Sequence, residues 1–485
     1  MQRRVTDYAL YRWRYGIAYC FAILAIVAAV LVAGLFIPGE IRSGEVESSI
    51  TSSELSFQNL APGMIVGAPY YILQKVSFVI LGVTPLSIKL PSMILALTTA
   101  LGLLLLFRAW FTRNIAVIAV LLVTLSAQFL FLAQDGTPSI AFSCLAVWLL
   151  YASTQAVRTR KMSSTLWKVI TCVIAALLLY MPLGVYVVVA LGALAIFHPH
   201  ARYTVLRVQR TRLLAATAIG CIALLPLIYA AVTDRTVVKQ LLGLPLQAVD
   251  VAANVKQLAV ALFGATAPST SYLVQPLHSI GMVLMMIIGF GYLINHYYTA
   301  RSYALLLMGL SLFGVVIVNP ERMTALFPAS AILVAFSVAW LINHWYSMFP
   351  RNPYARVTGL LPIVVLISGL AFTGINRYIE TYRYNPEILA HYSSDLQLVT
   401  DRLQRQDVRA DQPLLLAVTD TEQPLYHIVA RYNTRLRVTT TVPKGQKFLV
   451  TRAFRQQHRL GQPSGIMANA RSTDSDRFYS YASQQ

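Results

Sequence analysis

The sequence predicts an α-helical polytopic membrane protein followed by a small α/β domain. Three observations carry this. The 485-residue chain is 57% hydrophobic and only 12% charged, whereas soluble domains carry about 25% charged residues. Apolar runs near or above about 18 residues recur along it, each long enough to cross a hydrocarbon core of about 30 Å. After about Asn376 these runs stop, and residues 379–485 hold 10 of the 19 acids.

Backbone polar groups in lipid must be satisfied within their own segment, so the apolar runs are read as helices. Eleven spans are expected, near 16–37, 87–107, 114–132, 139–156, 165–180, 183–197, 213–232, 278–296, 302–318, 324–345 and 357–375. The first run, Gly16–Ile37, is too long for a signal-peptide core and is followed by no clear cleavage site, so it reads as a retained helix. "YMPLG" (Tyr180–Gly184) separates the short fifth and sixth runs. One broken helix there would reverse the side of everything that follows.

Charge orients the spans. Basic residues gather in cytoplasmic loops close to span ends. With the N-terminus inside, 17 basic residues fall in the cytoplasmic segments and seven in the outer loops before the last span. The seven are Arg42, Lys75, Lys89, Arg235, Lys239, Lys256 and Arg322. Acids sort the other way, and only Asp7 falls inside. The split holds on both sides of "YMPLG", which favours two spans. The net charge of +20 is therefore attributed to topology and to an anionic inner leaflet. Bases scattered over many short loops give no nucleic-acid footprint.

All four cysteines (Cys20, Cys144, Cys172, Cys221) fall inside expected spans. They predict neither a disulfide framework nor a cysteine metal site.

The chain divides into a membrane module, 1–378, and an extracytoplasmic domain, 379–485. In the latter, "SSDLQLVTDRLQRQ" and "EQPLYHIVARYN" read as helices. "PLLLAVTD", "RLRVTTT", "KFLVTR" and "DRFYSYAS" read as strands. Such a domain would serve as a structural cap or as a lid.

The outer segments 38–86, 133–138, 233–277 and 319–323 are where function is sought. "IPGEIRSGEVESSITSSEL" collects Glu40, Glu45, Glu47 and Glu54 in one loop. "GAPYYILQKVSFVILGVT" is apolar but broken by Tyr70, Tyr71, Gln74 and Lys75, as expected of a helix lying in the interface. Segment 233–277 has the same character. Two interfacial layers would frame a cavity open to both lipid and water.

These residues resemble the polyprenyl-phosphate-sugar-dependent glycosyltransferases of the GT-C type, which include protein O-mannosyltransferases and bacterial aminoarabinose transferases of lipid A. The resemblance lies in a first span, an acidic outer loop, Tyr70-Tyr71, Leu81-Gly82 and Lys89-Leu90-Pro91-Ser92. It continues in "NPERMTALFPAS", with Arg322 and Pro328. It implies a GT-C-like bundle with a site on the outer face. The family's first loop usually carries an Asp-Glu pair whose Asp acts in catalysis; here the pair is Gly44-Glu45. The role would pass to Glu45 or Glu47. In "FLAQDGTPS", where many members have an Arg and then an Asp, Gln134 and Ser139 stand near those positions with Asp135 shifted.

The implied reaction moves a sugar from polyprenyl phosphate to a protein, glycan or lipid acceptor. A carboxylate takes the acceptor proton, and donor groups meet the leaving phosphate. The candidates are Glu45, Glu47 and Asp135 for catalysis, and Arg322, Glu321, Lys75, Tyr70, Tyr71 and Gln134 for substrate. No metal ligand is assigned, although a divalent cation is possible between paired carboxylates. Each residue has a plainer reading. Glu40 and Glu54 are solvated loop acids, Asp135 a turn residue, and Arg322 an ion-pair partner of Glu321. Lys75 snorkels, the two tyrosines anchor the interface, and His278 marks a span boundary. An inactive relative, or a transporter or flippase of a lipid-linked substrate, is the alternative. Transporters place ionisable groups mid-membrane and show repeats, and neither is evident here. The expected location is a prokaryotic plasma membrane.

Overall fold

The computed structural model describes residues 9–56, 61–158, 162–206, 210–245, 250–264, 273–348, 353–405, 413–443, 446–469 and 476–482. Each of the eleven expected runs is helical in it. Among the described residues, six stretches are long and apolar enough to cross a membrane: Gly16–Leu35, Pro85–Trp110, Ser139–Arg158, Ala300–Val318, Pro320–Met348 and Leu360–Tyr384. Two bent pairs bring the number to at most eight. Met162–Leu179, Gly184–Phe197 and Ile280–Asn295 are shorter. At 1.5 Å per residue they reach only about 20–27 Å. By length and composition alone, six to eight of the described helices are long enough to span, and the shorter apolar helices account for the remaining expected runs.

"YMPLG" does interrupt the chain. Tyr180–Leu183 turn, Leu183 adopts φ 68°, and a new helix starts at Gly184. A Cβ on Gly184 would lie 1.8 Å from the Leu178 carbonyl oxygen, so only glycine permits this close return.

Local chemistry sets the helix that carries the site. The Thr84 hydroxyl accepts from the Ser87 amide, the Ser87 hydroxyl accepts from the Thr84 amide, and Pro85 occupies the first helical position. Behind it, Arg113–Thr124 and Ala127–Gln134 meet at 66°. Ser126 starts the second piece by accepting from the Phe129 amide. That bend ends a fully buried helix at Gln134 and presents Asp135 just beyond it.

The helix Ala68–Leu81 has two faces. Tyr70, Gln74, Ser77 and Phe78 are buried, while Ile72, Leu73, Val76, Val79 and Ile80 are exposed. An apolar face left outside a protein core suits lipid.

Among the described residues, seven strands make two sheets. Strands β1 (Ile41–Arg42) and β2 (Tyr392–Ser393) pair antiparallel, with Arg42 opposite Tyr392. The others are β3 (Leu414–Ala417), β4 (Leu436–Thr439), β5 (Phe448–Thr451), β6 (Gly465–Ala468) and β7 (Asp476–Tyr481), in the order β4-β3-β5-β7-β6. The first three strands of that order run parallel, and β7 is antiparallel to its neighbours. Strand β6 and the helix Arg452–Gln457 were not expected from the sequence. The C-terminal domain shares a core with loop one: Ile41, Phe78, Val83 and Ile88 pack with Leu396, Val399, Leu416 and Val429.

Candidate active site

A cavity of about 920 Å³ opens among loop one, the 133–138 connection, residues 240–245 and 250–257, and the 318–325 turn. Its lining includes Arg42, Gly44, Glu47, Tyr71, Asp135, Ser139, Glu321 and Arg322. Five of the sequence candidates therefore meet there: Glu47, Tyr71, Asp135, Glu321 and Arg322. Glu45, Tyr70, Lys75 and Gln134 do not border it.

Glu47 projects from the helix Ser43–Glu54 and is exposed at the cavity. Arg322 sits on the short 3₁₀ turn Pro320–Leu326. Its Nε is buried without a hydrogen-bond partner. Among the described residues no ion pair joins it to Glu321. Tyr71 stands within the fields of both groups. Burial pushes its phenol up to about 12; Glu47 adds to the rise and Arg322 opposes it.

Asp135 lies on the wall and is 1% exposed. Its Oδ1 accepts from Arg42 Nε at 2.9 Å and Nη2 at 2.7 Å, and its Oδ2 accepts from the Thr137 hydroxyl at 2.5 Å. Gly44 makes room for this pair. A Cβ there would fall 2.6 Å from Arg42 Nη1. The position where the family's Asp was expected is thus filled from the side by a guanidinium.

Glu45 lies behind the wall, fully buried. Its Oε1 accepts from the Gly136 amide at 2.7 Å and its Oε2 from the Arg42 amide at 2.9 Å. Lys89 Nζ is 3.9 Å from Oε1. Burial raises the Glu45 pKa; the Lys89 charge is the main opposing influence. Both oxygens face donors inside the protein, so Glu45 joins two loops and does not border the cavity.

Gln134 is buried too, accepting from Lys89 Nζ at 2.8 Å. The Tyr70 hydroxyl meets Ser92 Oγ at 2.8 Å, and Ser92 donates to the Asp135 carbonyl at 2.5 Å. Lys75 donates to the Leu55 carbonyl, away from the cavity. Sequence reasoning did not single out Arg42, Lys89 or Gln74 as site residues. Gln74 Oε1 accepts from Ser48 and Ser52, and its Nε2 donates to Ile88 and Gly136 carbonyls. A usable signal existed: Arg42 and Lys89 are two of only seven bases expected in the outer loops of the membrane module.

Residues 68–230, about a third of the chain, match the model of the dolichyl-phosphate-mannose-protein mannosyltransferase family. A search of curated proteins finds no match. Among solved structures the chain is similar to ArnT from Cupriavidus metallidurans bound to undecaprenyl phosphate. The two share 11% identity over 95% of this chain and 97% of that one, with a TM-score of 0.57. The apo form of that protein gives 11% identity, 96% and 98% coverage, and a TM-score of 0.55. An oligosaccharyltransferase from Archaeoglobus fulgidus in the apo form gives 14% identity, a TM-score of 0.52, and coverage of 88% of this chain but 65% of the other. The chain shares the fold of these structures, and with its long apolar helices it is an integral membrane protein.

Proposed function

We propose that the chain is a glycosyltransferase that moves a sugar from a polyprenyl-phosphate donor to a hydroxyl-bearing acceptor on the extracytoplasmic side. One observation carries the reading. An exposed carboxylate, Glu47, and a cation with an unpartnered buried N–H, Arg322, border one cavity beside an interfacial helix with an apolar outer face. A lipid tail would run along that face and the phosphate would meet Arg322. The GT-C fold and the undecaprenyl phosphate bound to a protein of similar fold support this assignment.

In the reaction the acceptor oxygen attacks the anomeric carbon. The bond from that carbon to the phosphate oxygen breaks, and its electrons leave with polyprenyl phosphate. Glu47 takes the acceptor proton as general base. Arg322 donates to the phosphate as negative charge grows on it. Asp135 orients Arg42 on the wall. Glu45 acts through its backbone bonds, not on substrate. The acceptor is a protein, glycan or lipid.

The absence of the family's loop-one Asp favours a second reading, a relative that binds the lipid phosphate without transfer. One experiment separates the two. Purified protein in nanodiscs is given radiolabelled polyprenyl-phosphate sugars and membrane acceptor pools. Transfer by the wild type and its collapse in Glu47→Gln, with donor still bound, supports the enzyme. Binding with no transfer from any donor overturns it.

A further inference from the structure

We propose that Arg42 is the fixed cation of the donor site, supplying to the lipid phosphate the positive charge that a divalent metal would otherwise bring. This rests on the donor reading above.

The Arg42 guanidinium is built into the wall by contacts that leave it little freedom. Two of its nitrogens share Asp135 Oδ1. Its backbone is held twice, by the Glu45 carboxylate on its amide and by Tyr392 across the strand pair. A guanidinium fixed in this way loses little rotamer freedom when it meets an oxyanion. It borders the same cavity as Arg322.

Among the described residues no group of three or more His, Cys, Asp or Glu gathers that could hold a metal, and the two carboxylates at the Arg42 wall are already engaged. Divalent cations of the calcium and magnesium type need several oxygen ligands. Asp135 has both oxygens occupied, by Arg42 and by Thr137. Both Glu45 oxygens accept backbone N–H groups behind the wall. Gly44 offers no ligand, and its lack of a side chain is what lets the guanidinium lie there. A cation at Asp135 would also stand beside the Arg42 charge, a like-charge contact that disfavours it.

The test uses the full chain in nanodiscs and needs no turnover. Undecaprenyl phosphate is titrated in EDTA into the wild type, Arg42→Gln, Arg42→Lys and the double variant Arg42→Gln/Asp135→Asn. Thermal melting checks each fold. Binding by the wild type in EDTA is expected, with Arg42→Gln at least tenfold weaker and Arg42→Lys in between. The double variant is the decisive one, because it leaves no stranded charge. It should melt near the wild type and still bind at least tenfold more weakly. Wild-type affinity in the double variant would overturn the proposal, since Arg42 would then serve only to neutralise Asp135. Micromolar, saturable Mn²⁺ binding that phosphate binding requires would overturn it as well. A failure of the transferase reading shows separately, as phosphate binding without sugar transfer.

Discussion

The Glu45 carboxylate closes on the Gly136 amide at 2.7 Å, joining loop one to a connection 91 residues further along the chain. Its other oxygen takes the Arg42 amide. Glu45→Gln would aim an amide NH₂ at one of these two donors. A buried N–H left unsatisfied costs about 1–3 kcal/mol. A lower melting temperature is expected, with activity falling in step with folded protein. An unchanged melt with transfer abolished would return Glu45 to the role of base.

Glu47→Gln should behave in the opposite way. Its carboxylate faces the cavity, and Glu47 is exposed. Removal of a general base costs about 10²–10⁴ in rate. The melt should hardly move, because an exposed substitution usually stays within about 0.5 kcal/mol. Transfer at wild-type rates by this variant would exclude Glu47 as the base.

Gly44→Asp tests the departure from the family pair. The new Cβ would collide with Arg42 Nη1 at 2.6 Å, and the new carboxylate would compete with Asp135 for the guanidinium. Restoring the family residue alone should therefore lower undecaprenyl phosphate binding. A gain in binding or transfer would mean that the guanidinium moves aside without cost.

His278 predicts an acid-linked instability. Burial, with Arg377 nearby, lowers its pKa to about 4, against an unperturbed value of about 6.5. The folded pKa is below the unfolded one, so the unfolded chain binds more protons between these values. Stability is then full above about pH 6.5 and falls as pH drops towards 4, by about 3 kcal/mol at most. Between pH 7 and 4 the melting temperature of the wild type should fall more steeply than that of His278→Gln. Parallel curves would place the acid sensitivity elsewhere.

The helices were legible because lipid imposes one demand, long apolar runs, and hydropathy reads it directly. Their lengths were not, since tight returns such as Leu183–Gly184 shorten them without changing composition. In the C-terminal domain the strands with alternating or continuous apolar residues were found. Gly465–Ala468 was missed because four residues opening on glycine carry too little pattern. At the cavity, Glu47, Asp135, Tyr71 and Arg322 were reachable as charged or aromatic groups in expected outer segments. Glu45 sits two residues from Glu47, and sequence alone could not say which faces inward on a short helix. Arg42 and Gly44 escaped for a related reason. One acts by reaching across 93 residues to Asp135, the other by having no side chain at all.

The pairing of Arg42 with Tyr392 also sets an order in time. Arg42 is made early, and its strand partner follows only about 350 residues later. At about 5–20 residues per second, the first strand waits on the order of 20–70 s for its mate. Until the chain passes Ser393, loop one has no partner to hold its register, and the cavity wall is unfinished. A ribosome stalled anywhere in the membrane module would leave a protein that is inserted but whose cavity wall is incomplete.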